Sequence, residues 1–442
     1  MRPLIQRFRA SIALATLAAF LASCATTHLP PISASGAAFK PLPDERRLWA
    51  DSRAEEQKLL SEATVYDDPL LVDYLEDVVH RLEPPAMAAN REIQYHVTVL
   101  EDPTLNAFAY PHGSIYVHTG LLARMEDEGE LATVLGHEMT HVENRHMLRY
   151  RRAAQNRQVA FSALAITAAV VVAGAEGDAE AKGDYGRAAR IDVLSNILVG
   201  LGLQLAFVAA VNGYGRDLEL EADAGGFVKL AAAGYDPADA PKVYQALLKD
   251  HGESGKLESF FFGSHPQLSA RVASAKAWMA AHPDLHPAPG DDRSVADEDR
   301  FARRIRPVVR DDARLNIDLG RLSLASDELD KALDWMPQDP EVRFQIARLR
   351  LGQADAEKDE AARSSLLDQA RDALRESIRL APDRPGAHRE LGLLLYREGE
   401  RAAACRELGY YLELAPDAGD APHVRDYVLE LNQSGDCPPS RR

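Results

Sequence analysis

Positive charge is what this sequence is short of: 51 Lys and Arg stand against 68 Asp and Glu, a formal net charge of −17 over 442 residues. That balance argues against a broad nucleic-acid footprint, which needs a basic face. No Gly-rich loop runs into Lys-Ser/Thr, so nucleotide phosphates have no cradle. The N-terminal apolar run, Ile12 to Leu21, is too short to span a bilayer. Cysteine is so scarce, at three residues, that each can be accounted for singly. What is present is ordinary globular material, 46% hydrophobic and 27% charged, with the length of two or three domains.

The short run follows Arg2, Arg7 and Arg9 and ends in Leu21-Ala22-Ser23-Cys24. Basic segment, apolar segment and small residues are the layout of a secretory signal peptide. The last four residues resemble a bacterial lipobox, which predicts cleavage before Cys24 and lipid on that cysteine; conventional cleavage near Ala22 is the alternative. Ala25 lacks the Asp of an inner-membrane retention signal, so the expected destination is the periplasmic face of the outer membrane. Cys405 and Cys437 then remain as an even pair in an oxidising compartment, either a disulfide or two thiols.

Residues 24–45, rich in Thr, Pro, Ser and Ala, read as a lipid anchor and flexible tether. Helical spacing follows in "ADSRAEEQKLLSEA" and "DDPLLVDYLEDVVHRL", while "YHVTVL" and "SIYVHTG" read as strands. Two apolar segments, 159–175 and 193–211, predict buried or membrane-surface helices, with a spanning pair as the alternative. The Pro-, Gly- and Asp-rich stretch His282–Arg300 marks a boundary, with the linker proper at 286–300. Beyond it the chain repeats itself. Ala404 and Pro416 lie twelve apart, as do Ala370 and Pro382, and Ala325 and Pro337. Pro382 and Pro416 are 34 apart, the tetratricopeptide period; Pro337 and Pro382 are 45 apart, which predicts an eleven-residue insertion, "ADAEKDEAARS", between two helices. A generic α-hairpin array is the other reading of 301–442.

Chemistry concentrates in "VLGHEMTHVENRHMLRY". A helix should begin near Glu128 or Glu130 and present His137 and His141, at i and i+4, to one metal ion, with Glu138 beside them. Zinc takes nitrogen, oxygen or sulfur in tetrahedral sites and keeps one position open when catalytic, so a third protein ligand is required. Extension of the motif along the same helix fails, because Asn144 and Met147 stand where Gly and His would be needed. A second acidic helix, "GRDLELEADAGGF", offers Glu219 as the third ligand and Asp223 to hydrogen-bond a ligand histidine's other nitrogen; the alternative is a solvated helix face.

"GHEMTHVENRH" together with "GRDLELEAD" resembles the zinc metalloendopeptidase family that contains HtpX and the CAAX prenyl endopeptidase. "YDDPLLVDYLEDVVHRL", "LNAFAYPHGSIYVHTGLL" and "SHPQLSARV" extend the resemblance over residues 45–285, and the lipoprotein-plus-repeat layout is closest to its periplasmic BepA-like branch. The resemblance implies a mainly α zincin-type domain (46–285) with a small β-sheet, followed by tetratricopeptide repeats (301–442). It implies one Zn2+ on His137, His141 and Glu219, with Glu138 as general base. His265 and Arg271 match an element suited to oxyanion stabilisation, or His265 latches the open zinc position, or they are a turn histidine and a helix-start arginine. His146 also matches the family pattern and reads as structural. "SIYVHTG" resembles an edge strand that receives extended substrate. Two departures, His112 in a turn that usually reads Pro-Gly-Gly and Gly215 before Arg216 where the family has Ser, bear on substrate fit. Expected partners are misfolded or unassembled outer-membrane proteins and the barrel-assembly machinery, with an assembly chaperone carrying a latent peptidase as the other class of function.

Overall fold

The computed structural model describes residues 26–156, 214–245, 268–285 and 293–437. Cys24, His265 and the apolar segments 159–175 and 193–211 lie outside them. Two compact units emerge: one of Met1–Leu100, Thr104–His118 and Met125–Ser294, the other of Glu101–Pro103, Thr119–Arg124 and Val295–Arg442.

The first unit is built on a buried helix. Helix α1 (Pro43–Glu62) and α2 (Pro69–Leu82) precede strands β1 (His96–Leu100), β2 (Ala107–Ala109) and β3 (Ser114–His118); then come α3 (Glu128–Glu143), α4 (Arg216–Ala233) and α5 (Leu268–Ala281). Pro69 at the first position and Asp68, whose carboxylate accepts from the Leu70 and Leu71 amides, start α2. Its buried Leu71, Tyr74, Leu75, Val78, Val79 and Leu82 follow the helical period, so one stripe faces the core. Asp127 caps α3, accepting from the Glu130 amide at 2.8 Å. Every residue of α3 is buried, which leaves its charged side chains dependent on partners within the fold.

The sheet has the order β1-β3-β2, β1 parallel and β2 antiparallel to β3. The expectation that "SIYVHTG" is an edge strand is therefore corrected. β3 is paired on both sides and has no open backbone to offer. The edge beside α3 is β2. The Tyr110 amide donates to Ser114 O and the His118 amide to Asn106 O, at 2.8 and 2.9 Å. By the alternation of an antiparallel ladder, Ala107 and Ala109 turn their backbone groups away from β3. Leu48 and Leu59 of α1 pack with Phe108, Tyr110, Tyr116, Met147 and Leu148 in one apolar cluster.

The tether is corrected as well, from Thr26 onward. Ile32 and Phe39 are buried, Asn90 donates to Gly36 O at 3.1 Å, and Arg152 donates to Thr26 O at 2.8 Å. Its apolar residues and turn-forming small residues give this stretch enough burial to dock.

The second unit is a run of helical hairpins: α6 (Arg293–Asp318), α7 (Leu322–Trp335), α8 (Pro340–Ala356), α9 (Glu360–Leu380), α10 (Pro385–Arg397), α11 (Arg401–Leu414) and α12 (Ala421–Gln433). Ala325, Ala332, Ala347, Ala370, Ala387 and Ala404 are wholly buried, small residues where helices approach. The predicted insertion is not a loop. Only residues 357–359 interrupt α8 and α9, and the extra length makes helices of 17 and 21 residues where α10 and α11 have 13 and 14. "ADAEKDEAARS" is rich in strong helix formers, with Asp359 placed to cap α9. Cys405 and Cys437 form a disulfide, their Cα atoms 5.4 Å apart.

Candidate metal centre

Two helices make the centre, and glycine lets them meet. A Cβ added to Gly225 would lie 2.4 Å from the Thr140 methyl carbon, and one on Gly226 would lie 3.3 Å from the His137 amide nitrogen. With those positions bare, α4 crosses α3 closely enough for Glu219 to reach the two histidines. Thr140 cannot step aside at no cost. Its hydroxyl donates to Gly136 O at 2.7 Å and accepts from Lys229 Nζ at 3.0 Å. Lys229 is in turn paired with Glu143 at 2.7 Å.

The donor atoms of His137, His141 and Glu219 lie within 4.8 Å of one another, all buried. His137 Nε2 is 2.9 Å from His141 Nε2 and 3.4 Å from a Glu219 carboxylate oxygen, which is 3.8 Å from His141 Nε2. Behind His137, Asp223 accepts at 2.8 Å from Nδ1. That fixes Nδ1–H and aims the Nε2 edge at the other donors. Burial and Arg271 both disfavour a proton on His137, yet the Asp223 and Glu219 carboxylates outweigh them and hold its pKa at about 9. The converging atoms thus demand a positive charge, and two imidazoles with a carboxylate are the donor chemistry of a catalytic zinc site. The residues fit such an ion.

Glu138 follows His137 and lies against β2, where the Ala109 amide bonds its carboxylate. Burial pushes its pKa up to about 8. A carboxyl group poised near neutrality is suited to taking a proton and returning it.

Arg271, expected near the oxyanion, sits elsewhere. Its Nε and Nη2 fork onto Asp223, the Nε contact at 2.9 Å, and its guanidinium lies 4.3 Å from the Tyr244 ring centroid. It faces the Nδ1 side of His137, away from the Nε2 edge, because the buried Asp223 carboxylate attracts it more strongly than an open cleft would. Burial alone would raise the Asp223 pKa, but Arg271 and His137 drive it well below the usual carboxylate range. His265 lies outside the described residues.

Two participants went unread in the sequence. The Tyr244 hydroxyl donates to Asp223 at 2.8 Å. The Tyr214 amide donates to Glu219 at 3.0 Å, and the Tyr214 ring lies 4.5 Å from that of His141. Gly215, noted as a departure, carries the signal for the second: its φ of +94° with ψ 156° is a conformation open essentially to glycine alone. It turns the chain so that Tyr214 folds back over the first turn of α4.

A buried helix bearing two histidines and a glutamate, a crossing helix supplying a further carboxylate, and a small sheet alongside make a three-donor candidate metal centre with a carboxyl group beside it. Residues 69–279 match the model of Peptidase family M48. Among curated relatives, the mitochondrial metalloendopeptidase OMA1 of Schizosaccharomyces pombe is 27% identical over 54% of this chain and 66% of its own. The beta-barrel assembly-enhancing protease of Escherichia coli (strain K12) is 26% identical over 50% of this chain and 41% of its own. That of Yersinia pestis is 27% identical over 56% and 46%. The chain spans about half the length of the curated relatives it matches.

Proposed function

We propose that this protein is a lipid-anchored periplasmic zinc metalloendopeptidase acting on misfolded or unassembled outer-membrane proteins. The convergence of His137, His141 and Glu219 beside Glu138 carries the reading. When bound, a zinc ion supplies Lewis acidity, polarising a peptide carbonyl and making water acidic enough to lose a proton near neutral pH. Glu138 takes that proton on its carboxylate and delivers it to the leaving amine. Asp223, held by Arg271 and Tyr244, keeps His137 in the ligating tautomer. The outer backbone edge of β2 lies beside Glu138, and an extended peptide added there as a strand would have to displace what buries Ala107 and Ala109.

The names of the bacterial relatives support the barrel-assembly setting, and the signal-peptide layout with the Cys405–Cys437 disulfide supports an oxidising compartment. Residues 301–442 read as tetratricopeptide repeats that dock substrate or the assembly machinery. Exposed Tyr410, Leu414, Tyr427 and Leu429 on α11 and α12 favour a second reading, a chaperone or scaffold with secondary peptidase activity.

Glu138→Gln tests the chemistry. It should bind zinc as the unaltered protein does and cleave an unfolded protein about 10²–10⁴-fold more slowly. Unchanged cleavage sinks the mechanism. Cys24→Ala should release the protein from the membrane fraction into the soluble periplasm.

A further inference from the structure

His141 is oriented from behind by a chain of groups in which His146, which matched the family pattern and read as structural, is the middle link. Asn144 and Arg145 end α3 in a tight turn, Arg145 at φ 59°. A left-handed conformation costs a non-glycine residue about 1 kcal/mol. The buried Arg145–Glu45 pair, at 2.5 and 2.8 Å, holds it. The turn carries His146 back beneath His141, wholly buried, with the two Nδ1 atoms 2.8 Å apart. His146 Nε2 lies 3.5 Å from Glu221 Oε1, and Glu221 is fixed by Arg149 at 2.7 Å and Asn144 at 3.0 Å.

One proton lies between the two Nδ1 atoms, and it has two homes. Placed on His146, it leaves the Nε2 lone pair of that ring facing the Glu221 carboxylate, which repels it. Placed on His141, it lets His146 carry its own proton on Nε2, 3.5 Å from Glu221 Oε1, an electrostatic attraction rather than a formed hydrogen bond. The second arrangement is favoured by the carboxylate, and it turns the His141 Nε2 lone pair toward His137 and Glu219. We propose that Glu221 and His146 are positioning residues that select the metal-ligating tautomer of His141, as Asp223 does for His137. Each ligand histidine is thus backed through Nδ1, one by a carboxylate directly and one by a carboxylate acting through a second imidazole.

The inference rests on the metal-centre reading, and the experiment separates the two. Zinc affinity is measured by competition with a chromophoric chelator for the full chain and three variants. His146→Leu, which fills the space but cannot accept a hydrogen bond, should bind zinc about 10–100-fold more weakly. His146→Asn, whose amide oxygen can accept from His141 Nδ1–H, should recover a substantial part of that loss. Glu221→Leu should weaken zinc by a smaller factor. A purely packing role predicts the reverse order, Leu at or above Asn, and that result overturns the proposal. Nitrogen NMR of histidine-labelled unaltered protein provides a readout that needs no variant to fold. His146 should show its proton on Nε2 and an unprotonated Nδ1, and the opposite tautomer overturns the relay. Failure of the unaltered chain to bind one zinc would instead remove the metal centre itself, and the relay with it.

Discussion

Asp223 is the residue on which most of the centre converges. It accepts from His137, Arg271 and Tyr244, all within 2.9 Å, and is itself buried. Asp223→Asn keeps the shape but removes the charge that fixes His137 and pairs with Arg271. Zinc affinity should fall about 10–100-fold, read by the same chelator competition, with circular dichroism confirming the fold. At this scale the sequence was legible where spacing alone carries geometry. His137 and His141 share a face because they are four apart, and Glu219 and Asp223 do likewise. Arg271 was visible as a residue and misplaced as an actor, since no spacing within one segment reports which carboxylate a distant guanidinium will find. Tyr244 has no local signature at all; only the packing of its segment on α4 brings its hydroxyl to Asp223.

Among the elements, the crossing of α3 and α4 is the most demanding. Gly225→Ala would set a methyl group against Thr140, whose rotamer is held by Gly136 and Lys229. A loss of about 1–3 kcal/mol is expected in chemical denaturation, with weaker zinc binding as the helices part. "EADAGGF" displays the two glycines openly, but nothing in one chain says what they make room for. The strands were likewise visible as strands, while their order was not. Placing β3 between β1 and β2 requires knowing that β1 and β3 run parallel, a pairing between segments separated by β2. In the C-terminal helices the period betrayed the hairpins, and the long α8–α9 pair was misread because added length can go into helices as readily as into a loop.

The two units differ in what stabilises them. The C-terminal one carries a buried Asp312–Glu328 pair, bridged by Asn316, whose amide lies 3.2 Å from Asp312 and 2.9 Å from Glu328. Burial pushes both carboxyl groups up, and Glu328 adds to the rise at Asp312. The folded chain therefore holds a proton that the unfolded chain releases. The corresponding stability is present below the ordinary carboxyl values, 3.8 and 4.5, and is lost as pH rises through the elevated folded values. Unfolding of this unit should shift to higher temperature between pH 8 and pH 5, and Asp312→Asn should flatten that dependence. Cys405→Ser opens a loop with a separation of 32 residues and should cost about 2–4 kcal/mol in denaturation under oxidising conditions.

The membership of the second unit also sets a schedule. Glu101–Pro103 and Thr119–Arg124 belong to it, and their partners arrive late: Arg314 meets Glu101 at 2.6 Å across 213 residues, and Lys331 meets the Ala123 carbonyl at 3.2 Å across 208. Thr119–Arg124 is followed after three residues by the helix bearing His137, Glu138 and His141. A chain ending before Arg314 would therefore carry Glu101–Pro103 and Thr119–Arg124 without the two later groups that bond them.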